Sequence, residues 1–193
     1  MRPSILLTLS LAASTAAFAA PVTYEVDARH THPVFAADHF GGLSVWRGIF
    51  TAKSGRVVLD REAMNGTVEV SIDMSSVLTG VPDLDSHLKT AEFLDVAKYP
   101  LATYKGKLAK FKDGAPGEVQ GELTLHGVTK PVTLTIRSFR CRPHPMEKGK
   151  ELCGADAHTT IDREDFGISW GKNLGFDMKV AFDIQIEAKA DAK

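Results

Sequence analysis

The chain is short of several things, and each shortage narrows what it can be. Lysine and arginine total 23 against 24 aspartate and glutamate, and no run of five or more basic residues occurs, so the electrostatic footprint of a nucleic-acid binder is absent. There is no Pro/Ser-rich linker, internal repeat or low-complexity tract, which leaves one domain with a sizeable core. Only two cysteines are present, Cys141 and Cys153, and neither follows the N-terminal apolar run where a lipid anchor would need one. Helix is scarce as well: residues 82–95 are the one stretch with a convincing helical pattern, in which Asp83 is placed to cap and Leu84, Leu88 and Ala91 form a stripe.

Residues 1–19 read as a cleaved export signal. Arg2 supplies the positive start, residues 5–17 are apolar but too short to span a bilayer, and Ala17-Phe18-Ala19 is a small-x-small cleavage site. Cleavage after Ala19 leaves residues 20–193 as one exported, periplasmic domain. Loss of Arg2 moves the net charge from −1 to −2.

What the chain does have is alternation with a period of two. Val119, Leu123 and Leu125, with Gly121 among them, share one face, while Gln120, Glu122 and Thr124 share the other. Val132, Leu134 and Ile136 repeat the pattern after Gly127, making residues 119–137 a hairpin. The same period returns in Val68, Val70 and Ile72 and again from Met178 through Phe182 to Ala188. Asn65-Gly66 carries the strongest signal for a tight hairpin turn, and Lys53-Ser54-Gly55 predicts a turn inside residues 45–60. So many half-buried strands with so little helix to cover them predict an antiparallel sheet that closes on itself or forms a sandwich.

Several motifs invite chemistry. His30, His32 and His39 crowd one polar stretch and raise a metal-dependent enzyme as an alternative, although His-x-His alone is a weak signal. Gly167-Ile168-Ser169-Trp170-Gly171 matches a nucleophile elbow, yet no histidine follows Ser169 to complete that triad order. Ser86-His87-Leu88-Lys89 matches S-x-x-K without its partner motifs. Cys141 and Cys153 bracket a polar loop and read as a disulfide in an oxidising compartment; the rival is a zinc site with His144 and His158, whose spacing fits no known finger.

Taken together, the ordered motifs resemble the YceI-like family of periplasmic polyisoprenoid-binding proteins over nearly the whole exported chain. They are Tyr24-x-Val26-Asp27-x-x-His30-Thr31, Phe35 with His39, Arg47-Gly48-x-Phe50, residues 85–95 (DSHLKTAEFLD) followed by Tyr99-Pro100, residues 121–132 (GELTLHGVTKPV) and residues 161–167 (IDREDFG). The chain departs from the family pattern at Pro33, at Phe40-Gly41-Gly42 and in the cysteine-bounded loop. The resemblance implies an all-β fold, an extended lipocalin-like barrel of eight antiparallel strands with one short helix, holding an isoprenoid or similar long-chain lipid.

On that reading Phe35, Phe50, Phe166, Trp170, Phe176 and Phe182 supply apolar walls together with Leu123, Leu125, Val132, Leu134 and Ile136, and His30, His39 and Arg163 are candidates for the lipid head group. An ion pair with nearby acids is the structural alternative for Arg163. The aromatics equally suit a solid core, and a ligand-free stress-response module stays open beside the carrier. No catalytic residue, metal or cofactor is expected. Transient membrane contact and a homodimer are both compatible with a carrier.

Overall fold

The computed structural model describes residues 20–191, so the export-signal reading of residues 1–19 lies outside the described residues. Nine strands follow in chain order: β1 (Val22–Val26), β2 (His32–His39), β3 (Ser44–Asp60), β4 (Asn65–Leu78), β5 (Leu101–Ala109), β6 (Glu118–Leu125), β7 (Val128–Pro143), β8 (Lys150–Asp162) and β9 (Lys179–Asp191), with one α-helix, α1 (Pro82–Leu88), between β4 and β5. Every pairing between strands is antiparallel. β2 to β9 each pair with the next, and β9 pairs back with β2, closing a barrel of eight positions.

β1 adds no ninth position. It lies between the second half of β3 and the end of β9, in line with β2, which lies between their first halves. A 3₁₀ turn at Ala28–His30 separates the two pieces, with the Asp27 carboxylate accepting from the Arg29 N–H at its start. Thr31, which follows, is almost fully buried, and its hydroxyl accepts from the Glu187 N–H at 3.2 Å, so the break in the wall stays sealed.

The two ends of the barrel differ. At one, the hairpin end, lie the β3–β4 turn and the β5–β6 and β7–β8 connections. At the other, the helical end, lie the β2–β3 turn, residues 79–100 with α1, the β6–β7 turn and residues 163–178. Each end has its own core cluster, one around Tyr24, Leu59, Tyr104 and Leu108 and the other around Phe35, Phe50, Phe166 and Ile168.

Residues 119–137 form the expected hairpin, β6 and β7, turned by His126 (φ 51°) and Gly127 (φ 76°), the left-handed pair that a two-residue turn requires. Two other turn expectations are corrected. Residues 44–60 are one continuous strand, and Lys53-Ser54-Gly55 falls at a register shift against β4, where the strand bends without reversing. Asn65-Gly66 opens β4 after a turn at residues 61–64, and Gly66 keeps a negative φ. Glycine is required there for closeness: a Cβ would run into the Val58 carbonyl and the Leu108 side chain.

The helix is shorter than the predicted 82–95. The Thr90 hydroxyl donates to the His87 carbonyl at 2.8 Å, and the chain then winds through turns to Tyr99. Val81, not Asp83, occupies the cap position, and Asp85 reaches back to the Thr79 N–H at 2.7 Å.

Candidate ligand cavity

Inward-facing side chains of every strand position leave a hollow inside the barrel. A cavity of about 220 Å³ runs from Leu108, Pro116 and Phe139 at the hairpin end to Met74 and Leu94 at the helical end. Its wall is apolar. The period of two explains this: Val68, Val70 and Ile72 of β4 and Phe182, Ile184, Ile186 and Ala188 of β9 all border it, while the alternate residues face outward.

Both tyrosine hydroxyls at the wall are already paired. The Tyr104 hydroxyl lies 2.9 Å from the Val132 carbonyl and 3.0 Å from that of Val119 and shares its one proton between them. The Tyr24 hydroxyl donates to the Glu151 carboxylate, and one Arg61 nitrogen bridges the two, 3.0 Å from the hydroxyl and 3.2 Å from the carboxylate. Burial pushes both tyrosines up to about 12, and for Tyr24 the hydrogen bond to Glu151 adds to it. Both are neutral throughout the physiological range. No charged residue borders the cavity, and what it can reward is apolar surface.

A YceI-like domain profile matches residues 24–192, nearly all of the described chain. The chain belongs to the YceI-like family. Protein YceI of Escherichia coli is 35% identical over 172 residues, covering 87% of this chain and 88% of that protein. Among solved structures, a mutant Campylobacter jejuni YCEI protein is similar with a TM-score of 0.61 and 27% identity, over 78% of this chain and 87% of that one. A polyisoprenoid binding domain from Saccharophagus degradans, implicated in plant cell wall breakdown, shares the fold at a TM-score of 0.59 and 18% identity, over 88% of this chain and 99% of that one.

Within this YceI-like barrel the residues singled out from the sequence divide into two groups. Phe50, Leu123, Leu125, Val132, Leu134, Ile136 and Phe182 border the cavity. Phe35, Phe166, Trp170 and Phe176 do not, contrary to expectation. Phe35 packs its ring on Phe50, 5.5 Å between centroids, and Phe166 is buried in the same helical-end core. Trp170 and Phe176 sit in the segment between β8 and β9, 5.8 Å apart, and stack with Phe93 and Phe40 respectively, over the end of the barrel.

The head-group candidates are not brought together. His30 lies in the 3₁₀ turn on the outside of the wall, its Nδ1 3.1 Å from Asp27. His39 ends β2, 3.3 Å from the Ser44 hydroxyl and edge-on to Phe40, Trp46 and Phe176. Arg163 is buried, and its guanidinium donates to the main-chain carbonyls of Ile168 at 3.0 Å and Trp170 at 2.6 Å. It also stacks over Phe93, so it ties the segment after β8 to the segment after α1. The ion pair offered as its alternative is not what holds it: both of these hydrogen bonds run to main-chain carbonyls.

Other motifs find structural partners. Cys141 and Cys153 face each other across β7 and β8 and are disulfide-bonded, which takes them from the zinc reading; His158 instead meets Asp183 at 2.9 Å on the outer face. His32 directs Nε2 to the Arg29 carbonyl, away from any shared centre with His39. Ser169 lies in an exposed turn that leads into a 3₁₀ turn, not at a strand-to-helix elbow over a parallel sheet, and Ser86 donates to the Pro82 carbonyl within its own helix.

Sequence reading missed Tyr24, Met74, Ala102, Tyr104, Leu108 and Ala157 as wall residues. The alternation Ala102, Tyr104, Gly106, Leu108 was legible in β5. It is faint, however, because two of its four inward positions, Ala102 and Gly106, are small and carry little apolar signal.

Proposed function

We propose that this protein is a periplasmic carrier that holds the apolar chain of one isoprenoid or similar long-chain lipid inside the barrel. The observation that carries the reading is the almost entirely apolar cavity of about 220 Å³. Left empty, a void of that size costs about 5 kcal/mol at roughly 24 cal/mol per Å³, comparable with the whole net stability of many domains. An apolar chain removes that cost and loses no hydrogen bond, because the tyrosine hydroxyls at the wall are already paired. The name of the Saccharophagus degradans domain favours an isoprenoid among such chains.

With no charged group inside, the head group belongs at one end of the barrel. The test is organic extraction of the protein purified from its native compartment, followed by mass spectrometry. A stoichiometric long-chain lipid is the expected result. A protein that extracts clean, and that takes up no isoprenoid when offered one, overturns the carrier reading in favour of a ligand-free module.

A further inference from the structure

Large apolar side chains that remain exposed are not scattered over this barrel. Of the ten among the described residues, seven belong to segments at the helical end. Four of them form a tip: Phe40 and Leu43 in the β2–β3 turn, Val45 at the start of β3, and Leu174 in the segment between β8 and β9. Leu43 is 77% exposed, Leu174 57% and Phe40 51%. Large apolar side chains gathered in this way at one end of a barrel mark a surface that is covered in use.

The tip is built, and at a cost. Phe40 has a φ of 52°, in the left-handed region that a bulky side chain rarely adopts and that asparagine or glycine fills more cheaply. The Asp38 carboxylate holds the turn in place by accepting from the Gly41, Gly42 and Asp177 N–H groups at 2.9, 2.6 and 3.0 Å. A turn so fixed presents a phenylalanine outward where a polar residue would be better tolerated.

The patch continues inward. Phe40 stacks on Phe176 at 4.9 Å, Phe176 on Trp170 at 5.8 Å and Trp170 on Phe93 at 5.1 Å, and Leu94, next in the chain, borders the cavity. An apolar track thus joins the exposed tip to the cavity wall.

We propose that this end of the barrel docks on a phospholipid bilayer, inserting Phe40, Leu43, Val45 and Leu174 among the lipids so that a long-chain ligand passes between membrane and cavity along the aromatic track. The occupant follows from that continuity, because the bilayer is where a water-insoluble chain resides. Phenylalanine and leucine are side chains with which interfacial anchors bury into a bilayer, and exposed Arg47, beside Val45, adds a cation that favours anionic head groups. The proposal rests on the carrier reading only for the ligand's passage; the docking itself is tested separately.

The experiment is flotation of the exported chain with vesicles of phosphatidylethanolamine and phosphatidylglycerol, with quenching of Trp46 and Trp170 emission by brominated lipids. Phe40→Asn with Leu43→Asn keeps the left-handed turn feasible and should weaken partitioning by about tenfold or more without lowering the melting temperature. Met146→Asn, at an 87% exposed position on the hairpin end, should change nothing. Wild-type protein that fails to float, or an equal loss in the Met146 variant, overturns the proposal. So does a dimer in sedimentation equilibrium that the tip variant dissolves while flotation is unaffected, since the patch would then cover a second copy. If extraction finds no lipid but the tip variant alone loses vesicle binding, docking stands and the carrier reading fails.

Discussion

Val132→Phe tests whether the barrel is hollow where it matters. Val132 borders the cavity opposite Gly121, so no cross-strand side chain on β6 blocks a larger group, and its carbonyl is one that the Tyr104 hydroxyl meets. Phenylalanine adds four carbons to valine. If they enter free space their burial contributes up to about 3 kcal/mol, at roughly 0.8 kcal/mol per carbon. If the space is full, overpacking costs about 1 to 3 kcal/mol, which lowers the melting temperature of a chain this size by about 2 to 12 °C. The comparison is made by calorimetry on delipidated wild-type and variant protein, with mass spectrometry of the lipid carried by each before extraction. The hollow barrel predicts an unchanged or raised melting temperature and loss of co-purifying lipid. Lowered stability with lipid retained would refute the reasoning, because it would place Val132 outside the space the ligand uses.

Three further outcomes follow from particular contacts. Replacing Cys141 and Cys153 together by alanine opens a loop closed over a separation of 12 residues and should cost about 3 kcal/mol, a melting drop of about 6 to 12 °C, while free-thiol titration of denatured wild type finds none. Arg163→Ala leaves two carbonyls without their charged donor and should cost about 2 kcal/mol, with Trp170 emission shifted and with phosphorylated and neutral lipids affected alike; weakening confined to phosphorylated lipids would return Arg163 to the head group. The Asp38 carboxylate is held below its ordinary 3.8, first by the Asp177 N–H and then by those of Gly42 and Gly41. Its stabilisation of the β2–β3 turn is therefore present above pH 3.8 and lost as pH falls through the lower native value; the expected outcome is a change in Trp46 fluorescence over that acid range that Asp38→Asn abolishes.

How far the sequence could be read depended on whether a residue's role was local. The facing of β6, β7 and β9 was legible because alternation records which side of a strand is dry, and Leu123, Leu134 and Phe182 border the cavity on that logic alone. Turns were less legible. Gly66 and Gly55 looked like turn glycines, but they serve close approach: a Cβ at Gly55 would press on Val26, a neighbour brought there only by the closed barrel. The ends were least legible. Trp170 and Phe176 lie on a connection whose path is set by Arg163 and the segment after α1, so their aromatic character could not say whether they line a cavity or cap it. His30 and His39 were grouped because they are near in sequence, yet an intervening strand carries His39 to the helical end and leaves His30 on the wall.

The tip and the cavity make separable demands, and that separation yields the last prediction. A chain that is dry in the bilayer and dry in the barrel gains nearly the same from leaving water in both, so final occupancy depends on the cavity and on the space Val132 and its neighbours leave. The path between is different. Each carbon forced through water adds roughly 0.8 kcal/mol to the barrier, a factor of about four in rate per carbon. Docking through Phe40 and Leu43 removes most of that exposure, because the track from Phe40 to Phe93 reaches Leu94 at the cavity wall. Phe40→Asn with Leu43→Asn should therefore slow uptake of a fluorescent isoprenoid from vesicles by at least about tenfold while leaving the equilibrium amount bound unchanged. Stopped-flow transfer measured beside an overnight endpoint separates the two. An endpoint that falls together with the rate would mean that the tip is part of the binding site itself, and an unchanged rate would mean that the chain enters by another route.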